Sequence, residues 1–239
     1  MIRNSPPTGT PLYPVNLDIG GKRCLVVGGG PVAARKVKAL LICGGQVQII
    51  SPHASDTIAR LAETGEIEWL RRTYQAGDAR DAFLIFGATD DPVVQQQSAE
   101  DAERYHVLLN SAYDPELSDF HVPAKIRRRD FVIAVSTGGG SPALALLLKE
   151  QLANEYGEEY GVLVELMAKI RRQVVTRHSV AEENKALFRS VLELPVLDCI
   201  KRQDWAGLQH QLTIVLPEEI DAGLLVEELL EELKQGKNG

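Results

Sequence analysis

The residues with the clearest chemical meaning in this chain are three consecutive glycines between a short apolar strand and a helix. Gly28 permits a tight turn, Gly30 lets the backbone approach a phosphate, and Ala33 keeps the helix close to the strand. The N–H groups at the start of that helix face the anion. The spacing predicts a pyrophosphate site for a dinucleotide, with a purely structural turn as the alternative. The predicted cofactor contacts here are Gly28, Gly29, Gly30, Pro31, Val32 and Ala33.

The next strand ends at Ser51 and Pro52, which we also expect to lie against the cofactor. In many dinucleotide sites an acidic residue about 20 positions beyond the glycines binds the ribose 2′-hydroxyl, or an arginine accommodates a 2′-phosphate. Neither residue type follows this strand. A weaker hydrogen bond from Ser51 is the remaining option. The pattern therefore favours NAD over NADP.

Two further strand ends carry polar residues. Thr89 and Asp90 are predicted to bind cofactor or substrate, although Asp90 or Asp91 can instead cap the helix that begins at Pro92. Asp114 follows the fifth strand, where a general base is well placed. Because Asp114 precedes a proline, a structural Asx turn is the alternative.

A second glycine-rich turn spans residues 136–141 and includes Ser136, Gly138 and Gly139. It can bind an anion through its N–H groups or act as a tight connection. The basic side chains nearby are Lys125, Arg127, Arg128 and Arg129. They form either a solvated turn or a patch for a substrate with many carboxylates. His121 is expected to share a strand face with Lys125 and Arg127, in a structural or a catalytic role.

Strands and helices alternate in the first half of the chain, which predicts a Rossmann-like, doubly wound parallel sheet in an α/β fold. Strands are predicted at 23–27, 47–50, 67–70, 83–87 and 107–110, and helices at 32–42, 55–63 and 92–105. Within 119–136, period-two alternation over 120–127 and a continuous apolar run at 131–135 predict a hairpin outside this sheet, packed on a helix or a second subunit. Further helices are predicted from residue 141 and at 160–177, 180–192, 195–201, 205–212 and 217–234.

The bulk properties exclude several classes of protein. A net charge of −7 over 239 residues argues against nucleic acid as a general partner. No apolar run approaches the roughly 20 residues that span a bilayer, so no membrane association is expected. Neither the three cysteines nor the histidines have metal-ligand spacing, so we expect no metal site. The cysteines also lack the pattern of a disulfide framework, which fits a reducing cytoplasm.

Four ordered motifs resemble the precorrin-2 dehydrogenase family, which also forms part of multifunctional siroheme synthases. The matching segments are residues 26–36, 88–91, 114–120 and 134–144. The resemblance implies NAD-dependent oxidation of precorrin-2 to sirohydrochlorin, in some members followed by insertion of ferrous iron. It also implies a homodimer whose interface follows the Rossmann sheet. The substrate carries eight carboxylates, which gives the basic run 125–129 a purpose.

One departure from the family bears on the chemistry. Where the family commonly has an aspartate used for acid–base work and metal handling, this chain has Tyr113. Three readings stay open: Asp114 substitutes through a local turn, Tyr113 only positions substrate, or proton loss needs no dedicated base. Dehydrogenation is favoured over iron insertion, which a separate chelatase can supply.

The resemblance predicts three parts: a cofactor domain over 1–115, a dimerisation and substrate segment over 116–150, and a helical domain over 151–239. Asp114, Ser136 and His121 are the predicted catalytic residues. The predicted substrate contacts are Tyr113, Lys125, Arg127, Arg128, Gly138 and Gly139. The alternative function is a non-catalytic Rossmann module that senses NAD. Such a sensor needs neither a polyanion patch nor a second glycine turn.

Overall fold

The computed structural model describes residues 11–177 and 181–235. The chain divides into two compact units, Met1–Val122 and Pro123–Gly239. The three-part division at residues 115 and 150 remains a prediction.

The first unit is the predicted doubly wound α/β structure. Its five strands are all parallel and lie in the order β3-β2-β1-β4-β5. The strand order reverses between β1 and β4, and a crevice forms at such a point, outside the carboxyl ends of the strands. The elements are β1 (Arg23–Val27), α1 (Pro31–Ile42), β2 (Gln46–Ile50), α2 (Asp56–Glu63), β3 (Glu68–Leu70), β4 (Leu84–Gly87), α3 (Pro92–Tyr105), β5 (Leu108–Ser111) and a 3-10 turn (Pro115–Leu117).

The central strands read as continuous apolar runs because helices cover both faces of a parallel sheet. Leu25 and Val26 of β1 and Ile85 of β4 are fully buried. Cys24 lies in the same strand, and burial, followed by the neighbouring Cys43 thiol, raises its pKa to about 11. Cys24 is therefore a neutral, buried thiol at pH 7, whereas Cys43 is half-buried.

The chain after β5 returns along the outer edge of that strand. The Asp119 N–H donates to the Leu109 carbonyl at 2.7 Å, and the Asp119 carboxylate accepts from the Leu109 N–H at 2.8 Å. The alternating pattern from residue 119 predicted a strand here, but the next strand begins only at Ala124. Pro123 cannot donate to a strand ladder, and residues 118–120 satisfy β5 instead.

A buried carboxylate fastens α3 to the loop before β4. Asp101 is 2% exposed, and its Oδ2 accepts from the Tyr74 hydroxyl at 2.7 Å and from the Gly77 N–H at 2.6 Å. Burial and the bond to Asp101 raise the pKa of Tyr74, so the phenol stays a donor.

Asp101→Ala is expected to lower the free energy of unfolding by about 3 kcal/mol, because both donors lose their charged acceptor. Urea unfolding monitored by circular dichroism measures this difference. Glu100→Ala is the matched control, since Glu100 is exposed and bonds only to Gln96 one turn away. A loss below about 1 kcal/mol for Asp101→Ala would show that water replaces both bonds.

The second unit begins with the predicted hairpin, which packs on helices of its own unit. Ile126 pairs with Ile133 across the two antiparallel strands. Phe131 stacks on Tyr160 with ring centroids 5.4 Å apart. The elements are β6 (Ala124–Arg128), β7 (Phe131–Val135), α4 (Pro142–Glu155), α5 (Glu158–Arg177), α6 (Ala181–Glu193), α7 (Val196–Arg202), α8 (Trp205–Val215) and α9 (Ala222–Gln235).

The helices of this unit surround an apolar core with side chains spaced four residues apart, as in amphipathic helices. Its fully buried members include Leu166, Ile170, Val174, Leu208, Leu212, Leu225 and Leu229. The last helix was predicted to start at Pro217, which is wrong. It starts at Ala222, because Asp221 caps it by accepting from the N–H groups of Gly223 and Leu224. The predicted helix start at residue 180 lies outside the described residues.

Candidate dinucleotide-binding site

Gly28 ends β1 in a conformation that side chains disfavour, with a φ of +118°. A Cβ at this position would lie 2.4 Å from the carbonyl oxygen of Ala88. The Gly28 N–H donates to the Ile50 carbonyl at 3.0 Å. The turn is therefore wedged between the ends of β2 and β4, and the fold itself requires glycine here.

Gly29 holds the loop that follows β2. A Cβ on Gly29 would lie 2.0 Å from the carbonyl oxygen of His53, and the Gly29 carbonyl accepts from the Ser55 N–H at 2.8 Å. The Ser55 hydroxyl oxygen in this loop is buried and lacks a hydrogen-bond partner among the described residues. The glycine turn and the β2 loop thus form one continuous surface.

Gly30 differs from both neighbours because its missing side chain leaves open space. No heavy atom lies within 4 Å of an ideal Cβ, and φ is −78°. Gly30 is the N-cap of α1 and makes no side-chain cap bond, Pro31 opens the helix, and Ala33 is fully buried. An open cradle at the N-terminus of a 12-residue helix suits the pyrophosphate of a dinucleotide. The residues present fit such a cofactor.

Ser51 is placed at the end of β2 but cannot donate as expected. Its hydroxyl donates to the His53 carbonyl at 2.6 Å, and the residue is 8% exposed. Toward a ribose, Ser51 is therefore an acceptor in this structure. Pro52 beside it is exposed.

An arginine missed from the sequence stands at the same edge of the sheet. Arg71 follows β3, which pairs with β2, and its guanidinium lies 4.3 Å from the centre of the Trp69 ring. The Trp69 indole N–H donates to the Ser51 carbonyl at 2.9 Å. No arginine follows β2 itself, and Arg71 instead follows the neighbouring strand β3. The order of strands in a doubly wound sheet was the available signal.

At the end of β4, the sequence left open whether the aspartates cap α3 or bind a ligand. Asp91 caps α3 by accepting from the N–H groups of Val93 and Val94, at 2.9 and 3.3 Å. Asp90 is exposed, and the Thr89 hydroxyl accepts from the Asp91 N–H at 3.2 Å. Asp91 therefore has the structural role of capping α3, and a ligand contact of Asp90 stays a prediction.

Asp114 adopts the Asx turn that was the alternative to a catalytic role. Its Oδ1 accepts from the Glu116 N–H at 3.1 Å, and its own N–H donates to Ser111 Oγ at 3.0 Å. Tyr113 beside it is 53% exposed. Asp114 is half-buried, so the phenol is the more exposed of the two groups at this strand end.

A lysine and an asparagine missed from the sequence hold the chain behind this loop. Lys36 Nζ of α1 donates to Asn110 Oδ1 at 3.2 Å, and Asn110 Nδ2 donates to the Phe120 carbonyl at 2.8 Å. His121 follows directly and is exposed. The prediction that His121 shares a strand face with Lys125 is wrong, since His121 precedes β6.

In the second unit, the turn 136–141 uses several of its own donors. Ser136 Oγ accepts from the Gly138 N–H at 3.2 Å, and Thr137 Oγ1 accepts from the Ser141 N–H at 3.1 Å. Ser141 Oγ caps α4 by accepting from Leu144. These bonds are those of a tight connection. Gly138 and Gly139 themselves are exposed.

The basic residues of the hairpin divide into two groups. Arg128 donates to the carbonyls of Tyr156 and Ala153, both at 3.2 Å, and so binds the C-terminal end of α4. Arg129 forms a 2.7 Å ion pair with Glu165. These contacts give both arginines a structural role, whereas Lys125 is half-buried and Arg127 is exposed.

Within residues 11–177 and 181–235, no three His, Cys, Asp or Glu side chains are grouped as a metal site requires. None of the helices there is long and apolar enough to cross a bilayer.

The geometry agrees with what comparison with known proteins finds. A family model described as "Putative NAD(P)-binding" matches residues 15–124. The chain is similar to the siroheme synthase of Chromobacterium violaceum, with 34% identity over 84% of this chain and 43% of that relative. It is also similar to the siroheme synthase of Actinobacillus succinogenes, with 30% identity over 93% of this chain and 50% of that relative. The chain thus spans about half the length of these curated relatives.

Among solved structures, the chain resembles one titled "SirC, precorrin-2 dehydrogenase". The TM-score is 0.65 at 23% identity, and the match covers 94% of this chain and all of that one. At this identity the match establishes the fold.

Proposed function

We propose that this chain acts as a precorrin-2 dehydrogenase, which oxidises precorrin-2 to sirohydrochlorin with NAD⁺, because it is similar to siroheme synthases and has the fold of a precorrin-2 dehydrogenase. The observation that carries the proposal is the glycine turn, in which Gly28 and Gly29 are sterically required and Gly30 faces open space. The names of the relatives supply the substrate. The oxidation removes one hydride and one proton from the macrocycle.

The first unit supplies the cofactor half of the reaction. NAD⁺, held by the turn 28–30, would supply the hydride acceptor. The turn 28–30 and the N-terminus of α1 bind and orient the pyrophosphate, which fixes the position of the dinucleotide along the sheet edge. Asp90, at the end of β4, is available to orient the nicotinamide end or the substrate. Positioning of this kind supplies much of the catalysis in hydride transfer.

The proton and the carboxylates of the substrate require further groups, and the predicted residues are proposals for these roles. Asp114 and His121 are the candidates for accepting the proton, and Ser136 is proposed to hydrogen-bond the substrate; His121 and Ser136 are exposed. Lys125 and Arg127 are the candidates for pairing with substrate carboxylates, as the family resemblance implies, whereas Arg128 binds the end of α4. Tyr113, Gly138 and Gly139 are further proposed substrate contacts, and all three are exposed.

An anaerobic assay with precorrin-2 and NAD⁺, following both NADH and the sirohydrochlorin spectrum, tests the proposal. NADH and sirohydrochlorin are expected to form in equal amounts. NAD⁺ binding without oxidation would overturn the enzyme assignment in favour of an NAD sensor. Oxidation that proceeds equally without NAD⁺ would show that the cofactor site serves another reaction.

We further propose that two copies of this chain associate through the hairpin and α4. In this unit Val132, Leu144, Leu146 and Leu147 are 37 to 51% exposed, an unusual number of apolar side chains on one short stretch. A second copy is the proposed partner, as the family resemblance implies. The proposal includes a cytoplasmic location, because the three free cysteines suit a reducing compartment. It also includes a separate chelatase that inserts the metal.

Leu147→Glu is expected to convert the dimer to a monomer at micromolar concentration, because a carboxylate would be buried in an apolar interface. Sedimentation velocity measures the change. Leu192→Glu is the matched control, since Leu192 lies on α6 and is 54% exposed. A wild-type protein that sediments as a monomer, or a Leu147→Glu variant that remains dimeric, would contradict the proposed interface.

A further inference from the structure

The end of β2 is where a doubly wound site contacts the adenosine ribose of a dinucleotide. In this chain Ile50 of β2 pairs with Leu70 of β3, and the Ser51 N–H donates to the Leu70 carbonyl at 3.2 Å. Ser51 and Arg71 therefore follow directly from paired positions at the same edge of the sheet. The positive charge of Arg71, which follows β3, therefore lies beside the loop after β2, the loop that faces the ribose in a doubly wound site.

The guanidinium of Arg71 is oriented by an aromatic ring and remains accessible. It lies 4.3 Å from the centre of the Trp69 ring, and the Trp69 indole N–H is fixed by the Ser51 carbonyl. Arg71 is exposed, and no carboxylate pairs with it among the described residues. The next arginine is different, because two bonds of 2.7 and 2.8 Å join Arg72 to the Asp78 carboxylate.

The loop from residue 51 to residue 55 contains no carboxylate. An acidic residue at this position binds the two ribose hydroxyls and repels a 2′-phosphate, whereas an arginine pairs with that phosphate. The nearest acid along the chain is Asp56, which is exposed and opens α2. His53, also exposed, is the basic side chain within this loop.

We propose that Arg71 determines cofactor specificity by contacting the 2′ position of the adenosine ribose, so that this site binds NADP⁺ as well as NAD⁺. The inference rests on the proposed function, since it requires a dinucleotide on the turn 28–30. It extends that function by naming a second cofactor and the residue that admits it. A phosphate at the 2′ position gains a charged, planar partner, and the unphosphorylated ribose loses nothing.

Calorimetric titration of the full chain with NAD⁺ and with NADP⁺ tests the inference without turnover. Wild-type protein is expected to bind the two cofactors with dissociation constants within about tenfold of each other. Arg71→Glu is expected to weaken NADP⁺ binding by at least about thirtyfold and NAD⁺ binding by less than about threefold. Arg71→Lys, which keeps the charge, is expected to retain most of the NADP⁺ affinity.

Arg60→Glu is the matched control, because it makes the same change of charge at an exposed position on α2. Both affinities are expected to stay within about twofold of wild type. Should Arg71→Glu fail to fold, Arg71→Gln removes the charge alone and is expected to weaken NADP⁺ selectively.

The outcomes separate this inference from the proposed function. NAD⁺ binding with NADP⁺ at least about a hundredfold weaker overturns the inference and leaves the dehydrogenase proposal intact. Equal loss of both cofactors in Arg71→Glu also overturns it, since Arg71 would then support the site as a whole. Failure of wild-type protein to bind either cofactor overturns the proposed function itself.

Discussion

Replacing Gly30 with alanine is expected to weaken NAD⁺ binding about a hundredfold while changing the free energy of unfolding by less than about 0.5 kcal/mol. The backbone at Gly30 has a φ of −78°, which alanine adopts freely, and no atom lies within 4 Å of the added Cβ. The methyl group instead fills the cradle that the pyrophosphate needs. Calorimetry with NAD⁺ and urea unfolding of the same preparations measure the two quantities.

Gly28→Ala is the matched contrast, because its main expected effect is on the free energy of unfolding rather than on NAD⁺ binding. Its Cβ would lie 2.4 Å from the Ala88 carbonyl oxygen at a φ of +118°, so the strand ends must shift. A loss of about 3 kcal/mol or more in the free energy of unfolding is expected. Undiminished NAD⁺ binding by Gly30→Ala would show that the pyrophosphate does not lie over Gly30. Equal destabilisation by the two variants would show that Gly30 is also structural.

The parts of the molecule that could be predicted from the sequence depend on local order along the chain. A buried strand, a glycine turn and a helix opening at Pro31 follow one another within 20 residues, so the pattern is recognisable without knowledge of distant neighbours. Alternation of such units dictates a parallel sheet with right-handed crossovers. The cap at Asp91 was predictable for the same reason.

The parts that escaped prediction depend on neighbours distant in sequence. Arg71 lies beside the β2 loop only because β3 pairs with β2. Lys36 donates a hydrogen bond to Asn110, which is 74 positions away in the sequence. Arg128 was assigned to substrate from its charge, but its donors point at the carbonyl end of α4. A run of charges does not reveal which members are already bound. The alternating pattern of 119–123 likewise does not distinguish a strand from a segment that covers one.

Tyr113→Asp is expected to raise the rate of Co²⁺ insertion into sirohydrochlorin about a hundredfold, from a wild-type rate equal to the spontaneous one. Tyr113 is 53% exposed at the position where the family commonly has aspartate. A phenol loses its proton only near pH 10 and is a poor metal ligand at neutral pH, whereas a carboxylate supplies both a base and an oxygen ligand. Anaerobic spectroscopy of the metallated product measures the rate.

Asp114 is not expected to substitute for the missing carboxylate in the wild-type protein. Its Oδ1 accepts from the Glu116 N–H, and its backbone is held by Ser111, so the carboxylate is used within its own turn. Tyr113→Asn is the matched control, since it has the size of aspartate without the charge. Both variants are expected to keep the NAD⁺ dissociation constant within about threefold of wild type, because Tyr113 lies outside the glycine turn 28–30.

Comparing Tyr113→Asp with Tyr113→Asn decides whether the new carboxylate or the loss of the ring changes the rate of metal insertion. Equal rates of metal insertion in the two variants would mean that removing the bulky ring, rather than adding a carboxylate, opens the site. Wild-type insertion well above the spontaneous rate would mean that another group already binds the metal, and Tyr113 would then not mark a lost activity. Insertion confined to Tyr113→Asp would assign the two reactions of the family to separable groups. Oxidation would then depend on the glycine turn and its cofactor, and metal insertion on one exposed carboxylate that this chain lacks.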